Sequence, residues 1–566
     1  MVVAAVTLAT FATPALYAQP GSDGELKNVA VIAGAPYEKL MSDITFLGSL
    51  AGKPEVGQMI EGGLSFFTQG KGTSAIDKKQ AWGVIVQTDG DNFLPVGCLP
   101  VTKPDDLLDV AKGFGAEIKD GENGTKEIVL PNKRSIFVKV DGGMAFISIS
   151  AASLGKLPAN PQQLLTKMVG EYDIAAHISV KNVPEMYRQF ALQAMQAGVQ
   201  QGMKKTDDES DEQYAERQKM TEAQMAQMSQ MINEIDSVTL GWAVDSQQQR
   251  TYLDFTYLFV AGSKMAEQLA TYSEHKTNFA GFYQPDAAAT ITVASQADKK
   301  LTAEDMAQSE AAIHSARLQL NSEIDKKIDD AEARDAIKAA LGDWFDAVEE
   351  TLKLGQMDAG ASLRLSPDSL TLIAGLHMKD TAKVESGLKK LELAAQKKKN
   401  SEHTGIMWNA AKHAGVTFHT LELPVPEDQE GPRKLLGDKL NIALGIGPEA
   451  VYLAIGQDNI EAVKKAIDAS AADKGKTVPP FEFALSLAPI MEVAASQAEE
   501  GSHKEIAQKV ADFLRSEAQG RDHIRAVGQM IPNGLKYHFE AEEGVLKAIG
   551  KGAAAAQQQK LEAQQQ

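Results

Sequence analysis

The chain has 566 residues, with 57 Lys and Arg against 76 Asp and Glu, a net charge of −19 and a single cysteine, Cys98. A chain this long buries full hydrophobic cores, and 43% hydrophobic with 23% charged residues is a globular composition, not a disordered one. One cysteine excludes an intramolecular disulfide and a cysteine-rich metal site, and the acidity argues against general nucleic-acid binding and against attachment to anionic lipid, both of which need basic surface.

Residues 1–22 contain no charged side chain, and Asp23 is the first. Val2 to Leu16 is mostly Ala, Val, Leu and Thr, and Ala18 offers a small residue at a cleavage position. The segment reads as the apolar and cleavage regions of a secretory signal peptide, although it lacks a basic start and has the large Leu16 three residues before the cut. A buried N-terminal helix or strand is the alternative. No cysteine follows the cut, which excludes a bacterial lipoprotein anchor, and no later stretch is long and apolar enough to span a bilayer. The expected location is secreted or periplasmic, in a bacterial cell envelope.

From residue 28 onward one unit recurs: a strand, helical sequence, two strands joined by a tight turn, and a closing helix. The first unit has a strand from Asn28 to Ala33, helical sequence from Tyr37 to Phe67, and strands at 82–86 and 93–98 around Asp89-Gly90-Asp91, a hairpin signal. Its closing helix begins at Pro104. Strands at 126–130, 136–140 and 144–149 and a short helix at 151–156 form an insert. The second unit has strands at 172–180, 238–244 and 251–259, with helices from Pro184 and over 210–235. The third has strands at 288–293, 359–365 and 370–376, helices through 302–353, and a closing helix over 381–398. A second insert follows, with strands at 416–423, 440–446 and 450–455 and a helix at 459–469. The fourth unit has strands at 481–487, 523–530 and 534–540, the last two turned at Pro532-Asn533-Gly534, and a helix at 502–518.

The chain therefore reads as unit, insert, unit, twice over: a first half over 23–275, a second over 280–552, joined near 278–285, with a low-complexity tail at 553–566 that is either disordered or extends the last helix. Hairpin-linked strands with intervening helices predict an α+β fold of antiparallel sheets with helices packed on one face, built by internal duplication of a β-α-ββ-α unit.

The stretches Pro95-Val-Gly-Cys-Leu-Pro100, Val183-Pro-Glu-Met-Tyr-Arg188, Asp207-Asp-Glu-Ser-Asp-Glu-Gln-Tyr214 and Leu240-Gly-Trp242 resemble an uncharacterised family of secreted planctomycete proteins over most of 27–290. The resemblance implies an extracytoplasmic location and this kind of fold. It carries no catalytic motif.

Candidate chemistry is sparse. No Gly-x-Ser-x-Gly elbow is present, and Ser153-x-x-Lys156 and Ser386-x-x-Lys389 lack the companion motifs of the penicillin-binding class. Gly70-Lys-Gly-Thr-Ser-Ala75 fails as a phosphate loop because position 65 is Ser and Gly72 follows the lysine. His403, His413 and His419 lie close in sequence without helical spacing. Met225, Met228 and Met231 repeat every third residue on a predicted helix, a pattern that suits Cu(I) thioether ligation and equally an amphipathic core stripe. Asp89-Gly-Asp91 and Asp207–Glu212 read as a hairpin turn and as acids at a helix start, not as calcium loops. Ser210-x-x-Gln213 and Ser502-x-x-Glu505 have the pattern of capping boxes. Cys98, in an apolar strand, is expected to be a buried inert thiol.

No catalytic residue and no cofactor is implied. The expectation is an exported, non-catalytic protein that binds an unknown protein or small molecule, or serves as an envelope component. Two alternatives stay open: an enzyme of hydrolase type whose site is assembled from distant residues, and a carrier of an apolar ligand held between curved sheets and long helices.

Overall fold

The computed structural model describes residues 25–68, 70–71, 73–205, 211–270, 276–296, 303–397, 405–498 and 501–565. The signal-like segment 1–22 lies outside them, as do Asp207 to Ser210 and His403. The chain divides into two compact units, Met1–Gln200 with Met228–Ser263, and Gln201–Gln227 with Lys264–Gln566.

In the first unit, β1 (Lys27–Gly34) leads to α1 (Tyr37–Leu50) and α2 (Val56–Phe67). The hairpin of β2 (Trp82–Thr88) and β3 (Phe93–Pro100) turns where expected: Gly90 has φ 105° and the Asp89 carboxylate accepts from Asn92 N at 2.9 Å. Then come α3 (Pro104–Gly113), with Pro104 in the first turn where its missing N–H costs nothing, and four strands, β4 (Glu117–Asp120), β5 (Thr125–Val129), β6 (Ser135–Asp141) and β7 (Met144–Ser148). Two helices, α4 (Ala151–Gly155) and α5 (Pro161–Met168), precede β8 (Ile174–Ser179). Helices α6 (Glu185–Gly202) and α7 (Asp211–Glu234), the latter with its residues up to Gln227 counted with the second unit, precede β9 (Ile235–Asp245) and β10 (Arg250–Phe259).

The second unit continues with α8 (Lys264–Ala270), β11 (Lys276–Thr277), β12 (Ala289–Gln296), α9 (Ala303–Lys327) and α10 (Ala331–Leu352), whose N-cap Asp330 accepts from Ala333 N at 2.9 Å. The hairpin β13 (Gln356–Ser366) and β14 (Ser369–His377) is followed by α11 (Thr381–Lys397). The insert comprises β15 (Met407–His413), β16 (Val416–Pro424), α12 (Glu430–Leu436), β17 (Lys439–Ile446), β18 (Ala450–Gly456) and α13 (Asn459–Ala472). The chain ends with β19 (Lys476–Thr477), β20 (Phe481–Ser486), α14 (Leu487–Gln497), α15 (Ser502–Phe513), β21 (His523–Ile531), β22 (Gly534–Glu542) and α16 (Glu543–Gln565).

Every pairing within each unit is antiparallel. The first unit runs β10-β9-β8-β1-β2-β3-β7-β6-β5-β4. The second runs β22-β21-β20-β12-β13-β14-β18-β17-β16-β15. Taken in chain order, the ten strands of each order are the same permutation. Both inserts hold an edge strand that hydrophobic patterning passes over, β4 and β15. An edge strand has one pairing partner and much wet surface, so its sequence stays polar: Glu117, Lys119 and Asp120 are exposed. Helices α5 and α14 were also not predicted, each carrying a proline in its first turns (Pro161, Pro489).

Alternation along the strands decides where the helices pack. In the first unit Val31, Ala33, Ile85, Val96, Cys98 and Phe146 point to one face and form a core with Leu154 and Leu165 of α4 and α5. At the insert end the opposite face is also covered, because Leu99, Ala145, Val138 and Ile128 pack against Leu107 of α3. The second unit repeats this arrangement. Ile373, Ala443 and Ala454 pack with Val463, Ala466 and Ile467 of α13 on one face, and Leu376, Leu444 and Val451 with Ala347 of α10 and Val384 of α11 on the other. The stretch 278–285 is a plug in this second core: Phe279 and Phe282 are 1% and 0% exposed. They fit because Gly360 and Gly375 face each other across β13 and β14; a Cβ on Gly360 would lie 2.8 Å from that of Phe282.

Of the motif positions, Cys98 is buried and its thiol is pushed up to about 12 by burial, an inert group. Gly501, not Ser502, occupies the cap position of α15. The 553–565 stretch continues α16.

Candidate functional site

Four strands of each unit keep one face free of the covering helices, and their registers place apolar residues in rows across it. In the first unit Phe255, Leu240, Ala176 and Ile32 lie side by side on β10, β9, β8 and β1. Leu253, Trp242 and Ile174 form the row on one flank, and Tyr257, Val238, Ile178 and Ala30 the row on the other. No ionisable side chain except the Tyr257 phenol stands among them. Ile174, Ile178, Leu240, Leu253 and Phe255 are 37 to 46% exposed. Side chains of this size at that exposure leave about 400 Å² of apolar surface facing outward, the scale at which a patch marks a binding surface. The second unit builds the same rows: Phe539, Ala526, Phe483 and Ile291 on β22, β21, β20 and β12, with Ile291 38% and Phe539 44% exposed. The sequence signal is alternation: along β9 Val238, Leu240 and Trp242 interleave with Ser237, Thr239 and Gly241, and along β10 Leu253, Phe255 and Tyr257 with Asp254 and Thr256, which marks one apolar face but not that this face stays open.

A second feature of the second unit lies on the other side of its sheet. The 280–286 segment without Phe282, Thr292 of β12, Arg364 of β13, Lys465, Ala466 and Ala469 of α13, Asp473 just after it, residues 476–479 and Glu482 line a cleft of about 700 Å³. Gly281 N donates to Ser470 Oγ at 2.9 Å, which anchors the 280–286 segment to α13. The lining holds three bases, Arg364, Lys465 and Lys476, and three acids, Asp286, Asp473 and Glu482. Arg364 lies 4.0 Å from Asp286 and Lys476 3.6 Å from Asp473. The Tyr283 phenol is held above its ordinary value by burial and by Glu482 beside it. Thr292 is 2% exposed, and its hydroxyl and the Gln284 Oε1 are buried without a hydrogen-bond partner. Thr290 and Ser362, one step along the same sheet face and opposite each other, carry two more unpartnered buried hydroxyls.

The motif residues do not converge. Met225, Met228 and Met231 share α7; Met225 is half-buried and the other two are 37% and 39% exposed. His413 Nε2 is 2.7 Å from Asp468 Oδ1, and His419 is buried with its Nδ1 accepting from Asn409 N at 3.2 Å. Among the described residues no group of three or more His, Cys, Asp or Glu is placed to hold a metal ion. Ser153 is fully buried, and Ser386 Oγ donates to Asp343 at 2.9 Å, so neither meets its downstream lysine. Lys71 is engaged by Asp106 and Asp109 at 3.1 and 2.7 Å instead of facing a phosphate.

Sequence reasoning did not find two pairs that the sheets bring together. His177 Nε2 lies 3.2 Å from Ser179 Oγ and its Nδ1 2.8 Å from Thr239 Oγ1. The spacing resembles a nucleophile and base, but the third group is a hydroxyl, which cannot stabilise an imidazolium as a carboxylate would, and burial holds the imidazole below its usual range. His523 Nδ1 lies 3.1 Å from Glu542 Oε2, which holds that imidazole above its usual range. No helix among the described residues is long and apolar enough to cross a membrane. No protein-family model, curated protein or solved structure matches this chain.

Proposed function

We propose that the chain is an exported, non-catalytic binding protein that carries an apolar ligand, an acyl-chain lipid, on the open face of its sheets. The observation that carries this reading is the helix-free face of β10, β9, β8 and β1, where three rows of apolar side chains stand with no ionisable group among them but the Tyr257 phenol; the nearest charge along β9, Asp236, lies at the edge of the rows and is paired with Lys181. A protein partner of ordinary kind leaves polar and hydrogen-bonding groups around its footprint; an alkyl chain asks for none. Four strands about 4.8 Å apart give a platform about 15 Å across, wide enough for acyl chains laid along or across the strands. Export is supported by the uncharged, apolar character of residues 1–22 and by the resemblance to secreted planctomycete proteins. The shared strand order supports an origin by duplication of a ten-stranded half.

The enzyme alternative has less to stand on. Among the described residues, His523 bonds no hydroxyl or thiol, and the base of the Ser179–His177 pair meets Thr239 Oγ1 at 2.8 Å, where a carboxylate would be needed to stabilise an imidazolium. Native mass spectrometry of freshly purified full-length protein tests the proposal: adducts that organic solvent extracts as lipid are expected, and a clean apo mass together with no uptake of added fatty acid would sink it. Turnover of a defined substrate, abolished by changing Ser179 or His177, would establish the alternative.

A further inference from the structure

We propose that the cleft between α13, β12 and the 280–286 segment is a binding site for an uncharged, hydroxyl-rich ligand, a sugar ring. The inference does not rest on the lipid-carrying reading. Along β12 the odd-numbered Ile291 belongs to the open apolar face, so the even-numbered Thr292 points to the opposite side of the same sheet, into the cleft.

Three observations fix the ligand's chemistry. Thr292 is 98% buried by its 2% exposure, yet its hydroxyl bonds nothing, and the oxygen of Gln284, also in the lining, is buried with no donor. Buried polar atoms are satisfied in the great majority of cases; a ligand hydroxyl can donate to the Gln284 oxygen and either donate to or accept from Thr292, and an alkyl chain can do neither. Next, the charges around the cleft cancel, three against three, with two opposed pairs closing on each other. A site for phosphate or for an ammonium group would leave one sign in excess; a balanced ring of Arg, Lys, Asp and Glu suits neutral hydroxyls, which take bonds from both. Finally, Tyr283 supplies the aromatic surface, and about 700 Å³ lies within the range of small-molecule sites and holds one or two sugar rings.

The test uses the full chain and a panel of neutral hexoses, N-acetylhexosamines and their disaccharides, followed by calorimetry and ligand-observed NMR. Saturable binding of at least one saccharide is expected. Thr292→Val, which keeps the shape and removes the hydroxyl, should weaken it about tenfold, and Gln284→Leu should do the same. Neither should lower the melting temperature, because the wild-type groups bond nothing within the protein. Binding should be unaffected by Leu240→Ser/Phe255→Ser on the apolar face, which separates this site from the lipid reading. The proposal is overturned if no saccharide in the panel binds, if the two cleft variants bind as the wild type does, or if inorganic phosphate or a free amino acid displaces the sugar as the tighter ligand.

Discussion

The double substitution Leu240→Ser/Phe255→Ser probes the open face most directly. The two residues are cross-strand neighbours in its central row and are 43% and 37% exposed. A bound chain lying over them removes roughly 80 Å² from water at each, worth about 2 kcal/mol per side chain at 25 cal/mol per Å². Part of that returns as the cost of ordering the ligand and of imperfect fit, so the expected loss is about 2–3 kcal/mol, a rise in Kd of about 30- to 150-fold for a fluorescent fatty acid measured by titration. Folding should be affected less, because each side chain is already partly in water, and the melting curve of the variant should keep its shape. The reasoning is refuted if the variant, folded by circular dichroism, binds the fatty acid within twofold of the wild type.

Other expectations follow from packing and charge. Phe282→Ala removes a ring that is 0% exposed and should cost about 3–5 kcal/mol, read by urea denaturation of the second unit; Gly360→Ala should cost about 1–3 kcal/mol by overpacking against the Cβ atoms of Phe282 and Phe279 and the Phe279 carbonyl. Asp173 is 0% exposed and its Oδ2 accepts from Val244 N at 2.7 Å, so Asp173→Ala should destabilise the first unit by roughly 1–3 kcal/mol for the N–H left unpaired. The two half-buried imidazoles predict opposite pH dependence. Desolvation lowers His177, so its unfolded form binds the proton more readily and stability is lost as pH falls below its ordinary value of about 6.5; His177→Asn should remove that acid sensitivity. The hydrogen bond that His523 donates to Glu542 raises its pKa, so its contribution is complete below that ordinary value and is lost as pH rises through the folded pKa; in Glu542→Gln, NMR titration should show the His523 pKa fall. An unchanged titration would mean that Glu542 does not set it.

The element order was legible in the sequence because period-2 apolar runs, turn residues such as Asp89-Gly90 and Asn533-Gly534, and amphipathic helices are local signals. The α+β class follows from them, and Cys98 was recognised as inert from its apolar strand alone. The edge strands β4 and β15 were not legible, since one-sided pairing puts no hydrophobic demand on their residues. Nor were the functional surfaces. Ile291 and Thr292 are neighbours in sequence, and nothing local says that one joins an open apolar face while the other lines a polar cleft together with Gln284. That depends on which face α13 covers. The rows from Phe255 to Ile32 join residues more than two hundred positions apart, and the plug of Phe279 and Phe282 depends on two glycines meeting across a hairpin. The sequence by itself determined the charge of this protein and most of its strands and helices, because those depend on near neighbours. Only the tertiary structure decided which apolar faces stay open and which buried hydroxyls lack a partner, because both depend on register and on what packs above the sheet.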